Sequence, residues 1–228
     1  MWLDSGRMGT STIPTELTVD APAVRAYVRR CGAAVRRHAE LLTRLDAALG
    51  DGDHGDNLLI GFSAVDEMLD ADQPPTIGAV LSSVGTALVT SVGGASGPLY
   101  GAAFIEAGFA AREMERLGVA ELAILAQAAA DGLARRGRCR VGDKTIFDAL
   151  APAAVALAAA ATAGEPMPIA LRRAAMAARR GMRSTKPLVA RRGLAMRLGD
   201  RSRGHLDPGA ASCFLLVRAL AAPAAIDR

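Results

Sequence analysis

Alanine dominates the apolar half of this chain, and that limits what it can build. Of 228 residues, 51% are hydrophobic but only 4% are aromatic. Alanine gives up no rotamer freedom in a helix and lets backbones pack closely. Strand-rich folds draw instead on Val, Ile, Tyr and Phe. Apolar residues recur at helical spacing along most of the chain. The pattern predicts helices over about 22–48, 57–69, 77–91, 98–117, 120–135, 143–163, 168–183, 186–197 and 208–221. Asp20 and Thr76 stand where N-caps belong. No strand is expected. Short connections imply antiparallel neighbours in an all-α bundle or barrel. Residues 1–20 read as a tail and 21–228 as a single domain.

Cys31, Cys139 and Cys213 are far apart in sequence. An odd number without close spacing suits neither a disulfide framework nor a zinc site, and a reducing cytoplasmic setting follows. The first residues lack the apolar stretch of a signal peptide. The Ala-rich run 149–163 is shorter than the ~20 residues a membrane span needs, so a buried helix is expected there. Net charge is +4. The segment 172–203 holds many arginines and one acid, Asp200. It reads either as a solvated helix face or as a surface for phosphates, an acidic protein or nucleic acid.

Four loops are rich in Gly and Asp, and each precedes a helix. They are Gly50-Asp51-Gly52-Asp53-His54-Gly55-Asp56-Asn57, Gly93-Gly94-Ala95-Ser96-Gly97-Pro98, Gly142-Asp143-Lys144-Thr145 and Gly204-His205-Leu206-Asp207-Pro208-Gly209. A helix N-terminus presents unpaired N–H groups and the positive end of its dipole. Four of them gathered at one end of a bundle would make an anion site.

In the first loop Asp51 and Asp53 share a face if the stretch is extended, and Asp46 lies one turn upstream. Three converging carboxylates suit a hard cation held by oxygen, Mg²⁺ foremost, because it commonly combines a few carboxylates with waters and phosphates. A solvated Asp-Gly turn is the other reading. An EF-hand fails, since its sixth and twelfth positions fall on Asp56 and Phe62. His54 has no second His or Cys at zinc spacing; it reads as a nucleotide-facing, supporting or merely structural group. The loop at 93–97 lacks the P-loop spacing, as does 142–145. Gly where Pro98 stands would be needed for a nucleophile elbow. Asp207 before Pro208 also suits a plain helix cap, and Asp143 and Thr145 suit a cap and first turn.

Taken together, in this order, the four motifs resemble the L subunit of dihydroxyacetone kinase, which also occurs as the C-terminal domain of single-chain kinases. The resemblance runs from about residue 21 to 221. It rests on Leu45-Asp46 with 50–57, on Gly93 to Gly101, on Val141 to Thr145 and on Gly204 to Ala210. It implies an eight-helix barrel with a nucleotide at one end. It implies that Asp46, Asp51 and Asp53 hold two Mg²⁺ ions and that His54 and Asn57 lie beside ADP or ATP. Gly94, Ala95 and Ser96 fall in the matching phosphate loop. Gly137, Thr145 and Ile146 match the base and sugar side, and Asp207, Pro208 and Gly209 the last nucleotide contact. The sequence departs from the family where an Arg and a Tyr are usual: Leu194 and Arg197 stand there. In a helix Arg197 would lie one turn from Leu194 and could supply the guanidinium.

The resemblance implies a kinase subunit with no catalytic residue of its own, inactive without a K-type subunit that holds the ketose. The phosphoryl source is either exchanging ATP or a phospho-histidine carrier protein that recharges bound ADP. A homodimer is expected, with neither a membrane nor nucleic acid as partner. The alternatives are a kinase subunit for another small polyol or a fatty acyl substrate, and a Mg-nucleotide binding module that docks on a regulator without turnover.

Overall fold

The structure, a computed structural model, describes residues 18–221; residues 1–17 of the expected tail at 1–20 and residues 222–228 of the expected domain lie outside the described residues. Eight α-helices run in order: Ala21–Ala47 (α1), His54–Ala71 (α2), Ile77–Ser91 (α3), Ser96–Ala110 (α4), Val119–Gly137 (α5), Phe147–Thr162 (α6), Met167–Ser184 (α7) and Pro208–Ala221 (α8). A short 3-10 segment, Leu194–Ser202, lies between α7 and α8. No strand occurs among the described residues, which hold one isolated antiparallel bridge, Val19 with Leu117. Every helix packs on its neighbours in sequence, and α1 closes the ring on α8.

This topology decides where the loops go. In an up-and-down ring, connections leaving odd-numbered helices all fall at one end. The four Gly/Asp-rich loops are those that follow α1, α3, α5 and α7, so they share an end of the barrel. The plain connections, 72–76, 111–118 and 163–166, take the other end.

The core follows the helical period. On α1 it uses Val24, Val28, Cys31, Val35 and Leu42; Leu58, Phe62, Val65 and Leu69 of α2 face it. Asp20 caps α1 by accepting from Ala23 N at 3.0 Å, and Thr76 caps α3 by accepting from Ala79 N at 3.2 Å. An apolar cavity of about 160 Å³ inside the barrel is lined by residues such as Tyr27, Leu81, Phe104, Leu125 and Leu216. The arginines at 172, 173, 179, 180 and 183 of α7 are exposed, as a solvated face requires. No helix among the described residues is long and apolar enough to cross a membrane.

α6 and α7 approach through small residues, Ala149, Ala153 and Ala160 against Ala170, Ala174 and Ala178. Pro152, inside α6, has no N–H to give to the carbonyl four residues back. That carbonyl belongs to Asp148, and Gly181 of α7 sits against it: a Cβ at 181 would lie 1.9 Å from the Asp148 oxygen. The proline thus removes a helical donor where a neighbouring backbone needs the space.

Three elements differ from the sequence pattern. α4 ends at Ala110 instead of running to 117, because Leu117 leaves the helix to exchange two backbone hydrogen bonds with Val19. α6 begins at Phe147, not 143, because Lys144 takes a left-handed φ of +61°. The stretch at 186–197 is not an α-helix; the turn begins later, as 3-10, and is broken at Gly199, whose φ is +53°.

Candidate functional site

Asp46 sits in the last turn of α1 and organises the loop that follows. Its Oδ2 accepts from three backbone N–H groups, Gly52 at 3.1 Å, Asp53 at 3.0 Å and His54 at 3.2 Å. The chain can wrap one oxygen this way because Gly52 takes a φ of +77°, a region costly for any residue with a Cβ. The turn, rather than an extended strand, brings Asp51 and Asp53 back toward Asp46. One carboxylate oxygen from each of the three lies within 4.8 Å of the others. Asp51 and Asp53 are exposed, and none of the three forms an ion pair among the described residues. Asp53 is the N-cap of α2 but makes no side-chain cap bond, so its carboxylate is spare. Partial burial, and then the like charges of Asp51 and Asp46, push its pKa up, against a hydrogen bond from Asn57. Oxygen donors of one sign gathered at a helix C-terminus lack a positive charge.

His54 opens α2 and is buried. Its Nδ1 lies 3.0 Å from the Ser96 hydroxyl at the start of α4, and its Nε2 2.8 Å from the Ser212 hydroxyl in α8. Burial pushes its pKa down, outweighing the pull of Asp46 and a hydrogen bond to the Pro208 backbone. Asn57, one turn along α2, lies against the glycine loop: a Cβ on Gly93 would be 3.0 Å from its Oδ1. Gly94 turns that loop with a φ of +64°. Ala95, the N-cap of α4, offers no side chain to the helix end, which leaves its N–H groups open to an anion.

The third and fourth loops complete the ring. Gly137, at the end of α5, packs on Leu99 of α4. Gly209 packs on Ile146, whose N and Cβ are each 3.3 Å from where a Cβ would stand. Asp207 is buried and does cap α8, its Oδ2 accepting from Ala210 N at 2.7 Å. Burial pushes its pKa up to about 7, partly offset by that bond and by Lys144, while Asp148 and Asp46 raise it further. Contacts among His54, Ser96, Ser212, Gly209, Ile146, Gly137 and Leu99 therefore link all four loops.

Several residues that hold this ring were not singled out in the sequence. Lys144 is buried and donates through Nζ to the carbonyls of Thr185, at 2.7 Å, and His205. It ties the third loop to the fourth. Asp148 accepts from Gly142 N at 2.6 Å and Thr145 N at 2.7 Å. Thr145-x-x-Asp148 is a capping-box spacing, a signal that was available. Thr145 contributes as a turn: its Oγ1 accepts from Phe147 N at 3.2 Å. Asp143 bonds backward to Arg140 N and forward to Arg192 rather than capping α6. Ser212 carries no motif that marks it, and Tyr100 stands within the 93–101 motif without a role assigned to it. Arg197 is exposed on the 3-10 segment and makes no hydrogen bond or ion pair among the described residues; Leu194 is 43% exposed.

A closed eight-helix ring with anion-ready helix ends and a carboxylate cluster at one mouth defines the class as a helical-barrel ligand domain. The chain belongs to the DAK2 domain family, which it matches over residues 48–222. It is 40% identical over 195 residues to the ADP-binding subunit DhaL of the PEP-dependent dihydroxyacetone kinase of Escherichia coli K12, covering 86% of this chain and 93% of that one. It is 36% identical over 208 residues to the ADP-binding subunit DhaL of PEP-dependent dihydroxyacetone kinase 2 of Listeria innocua, covering 90% and 96%. The fold matches the crystal structure of the dihydroxyacetone kinase of C. freundii with a TM-score of 0.70 at 24% identity, covering 97% of this chain and 38% of that one. The chain thus spans a little over a third of that kinase's length.

Proposed function

We propose that this chain is the nucleotide-binding, phosphoryl-donor subunit of a kinase for dihydroxyacetone or a related small ketose. The observation that carries the reading is the meeting of the Asp46–Asp51–Asp53 cluster with the open N-terminus of α4 and its Gly93–Ser96 loop. Opposite charges need a third party here: the carboxylates a cation, the helix end an anion. A Mg-nucleotide supplies both.

On this reading Asp46, Asp51 and Asp53 hold Mg²⁺, because their oxygens converge without a cationic partner; that there are two ions is what the family resemblance implies. Bound there, Mg²⁺ neutralises phosphate oxygens and fixes their direction. Gly94, Ala95 and Ser96 give backbone and hydroxyl donors to phosphate. His54 and Asn57 flank it. Gly137, Thr145 and Ile146 border the base and sugar, with Asp207, Pro208 and Gly209 closing the far side. The buried Asp207 carboxyl already caps α8, so its part is to hold that helix end in place.

On this reading none of these residues acts as a nucleophile; the chain positions and stabilises while a K-type subunit brings the ketose. Two relatives are ADP-binding subunits of PEP-dependent kinases, which favours ADP that stays bound and is recharged by a phosphorylated carrier protein. The exposed, unbonded Arg197 favours a second reading, in which the nucleotide is held less tightly and ATP exchanges.

Two measurements test the proposal. Mass spectrometry of the supernatant from purified, denatured protein should find ADP or ATP. Dihydroxyacetone phosphate should form only when this chain, a K-type subunit and a phosphoryl source are combined. Product formed without this chain would refute the donor role.

A further inference from the structure

α1 carries two pairs of arginines, the members of each pair seven residues apart, and their surroundings differ. Arg29 and Arg36 lie on the side toward α2. Arg36 reaches Asp66 at 2.8 Å, and Arg29 reaches Asp70 at 2.7 Å and Asp66 at 3.7 Å. Arg30 and Arg37, one residue on, stand about 100° further round the helix. They line a groove of about 580 Å³ together with Arg172 of α7 and Arg218 of α8. Of the arginines on α7, Arg172 alone lines it. No acidic residue lines it, and none of its four arginines forms an ion pair among the described residues. Arg30 Nε donates to Ala219 O at 3.2 Å, and Arg218 lies 5.7 Å from the Phe214 ring. Those contacts hold the side chains but neutralise no charge. A guanidinium stays ionised at any working pH, so four positive charges share one trough and repel.

The bed of the trough limits what can fill it. α8 packs on both α1 and α7. Ala34, Ala175, Leu215 and Ala219 give a small, apolar floor, with Met176, 60% exposed, beside it. Small side chains at a helix contact let the two axes come close. Arg30 and Arg37 are two turns apart, about 10 Å along the axis, more than one small anion spans. A bilayer surface is flat and does not follow a trough. A nucleic-acid duplex presents phosphates but no apolar side to an alanine floor. α2 shows what does fit: on the other side of α1, a helix presents Asp66 and Asp70, one turn apart, to Arg29 and Arg36.

We propose that the trough between α1, α7 and α8 is a docking surface for an acidic amphipathic helix of a partner protein. Its carboxylates pair with Arg30, Arg37, Arg172 and Arg218, and its small apolar face lies on the alanine floor. The trough uses the middle of α1, the first half of α7 and the second half of α8. It therefore stands away from the mouth of the barrel, where α1 and α7 end and α8 begins. A helix docked there leaves the Asp46–Asp51–Asp53 cluster and the Gly93–Ser96 loop uncovered, and it needs no nucleotide.

The test uses the full chain and a fluorescein-labelled, alanine-rich peptide of about twenty residues, long enough to hold a helix in water. Glu stands in pairs four apart on one face of the peptide, and a twin carries Gln at each of those positions. Fluorescence anisotropy should show saturable binding of the Glu peptide, about tenfold or more tighter than its twin. Binding should weaken with added salt and be the same with and without Mg-ADP. Arg37→Gln and Arg172→Gln should each weaken it about two- to fivefold. Arg36→Gln, whose side chain faces α2, should not. No binding, equal binding of the twin, or an equal loss in Arg36→Gln would overturn the proposal. So would arginine-dependent binding to phosphatidylglycerol vesicles or to a DNA duplex that is tighter than binding to the Glu peptide. A second measurement needs no peptide. In the free chain Arg37→Gln and Arg172→Gln remove unbalanced charge, so each should keep the wild-type melting temperature or raise it, more at low salt than at high. A fall of more than about 2 °C in both would mean that these charges are already satisfied within the chain, and would overturn the proposal.

Discussion

Asp46 and Asp51 belong to one carboxylate cluster, yet removing them should move stability in opposite directions. Asp46 accepts three backbone hydrogen bonds in the α1–α2 loop, and Asp51 accepts none among the described contacts. Each bond is partly open to solvent, so a net worth of about 0.5–1.5 kcal/mol applies, or about 2–4 kcal/mol for the set. Asp46→Ala should therefore lower the melting temperature of the nucleotide-free protein by about 5–15 °C, at about 2–4 °C per kcal/mol for a chain this long. Asp51→Ala removes only repulsion. Two charges within 4.8 Å of each other repel by about 0.9 kcal/mol or more in water before salt screens them. That variant should melt at the wild-type temperature or slightly above it. Both should lose Mg-dependent ADP binding. Thermal melts at low and high salt, with calorimetric titration of ADP, separate the two effects. If Asp51→Ala destabilises the free protein as much as Asp46→Ala, or if either retains wild-type ADP affinity in Mg²⁺, the cluster does not work as described.

Other parts of the fold give equally direct expectations. The Asp207 carboxyl titrates near 7 in the folded chain and near 3.9 when unfolded. The native state therefore keeps a proton that the unfolded state loses as pH rises from about 4 to about 7, and stability falls across that window by up to about 4 kcal/mol. Asp207→Asn, which keeps the cap, should flatten that slope in denaturant titrations; an unchanged slope would contradict the buried-acid assignment. Gly181→Ala would place a Cβ 1.9 Å from the Asp148 carbonyl oxygen, and it should cost about 1–3 kcal/mol or more in urea unfolding as α6 and α7 separate. Wild-type stability in this variant would mean that the two helices are further apart. Leu194→Arg should slow release of a fluorescent ADP analogue if that position faces the nucleotide. An unchanged rate in both Leu194→Arg and Arg197→Ala would place the segment away from the site.

Much of this was legible in the sequence for a physical reason. Helix period, caps and Gly/Asp loops are local signals, and short connections force antiparallel neighbours. The four loops then share an end because they alternate along the chain. Asp46, Asp51, Asp53, His54 and Ser96 could be named because their types are unusual at those spacings. What stayed hidden depends on contacts distant in sequence. Lys144 reaches the Thr185 carbonyl 41 residues away, and His54 reaches Ser212 158 residues away. Nothing local marks either pairing. The early end of α4 depends on Val19, nearly a hundred residues before Leu117. The 3-10 turn at Leu194–Ser202 was misread because its Arg and Leu spacing also fits an α-helix, and Gly193 and Gly199 break it at positive φ.

Isothermal titration of nucleotide-free protein with ADP, in Mg²⁺ and again in excess chelator, tests the central claim most directly. The account predicts saturable binding in Mg²⁺ and its loss in chelator. At 100 times the dissociation constant it also predicts about 2.7 kcal/mol of added stability. Binding of equal strength with and without Mg²⁺, or none in either, would contradict it.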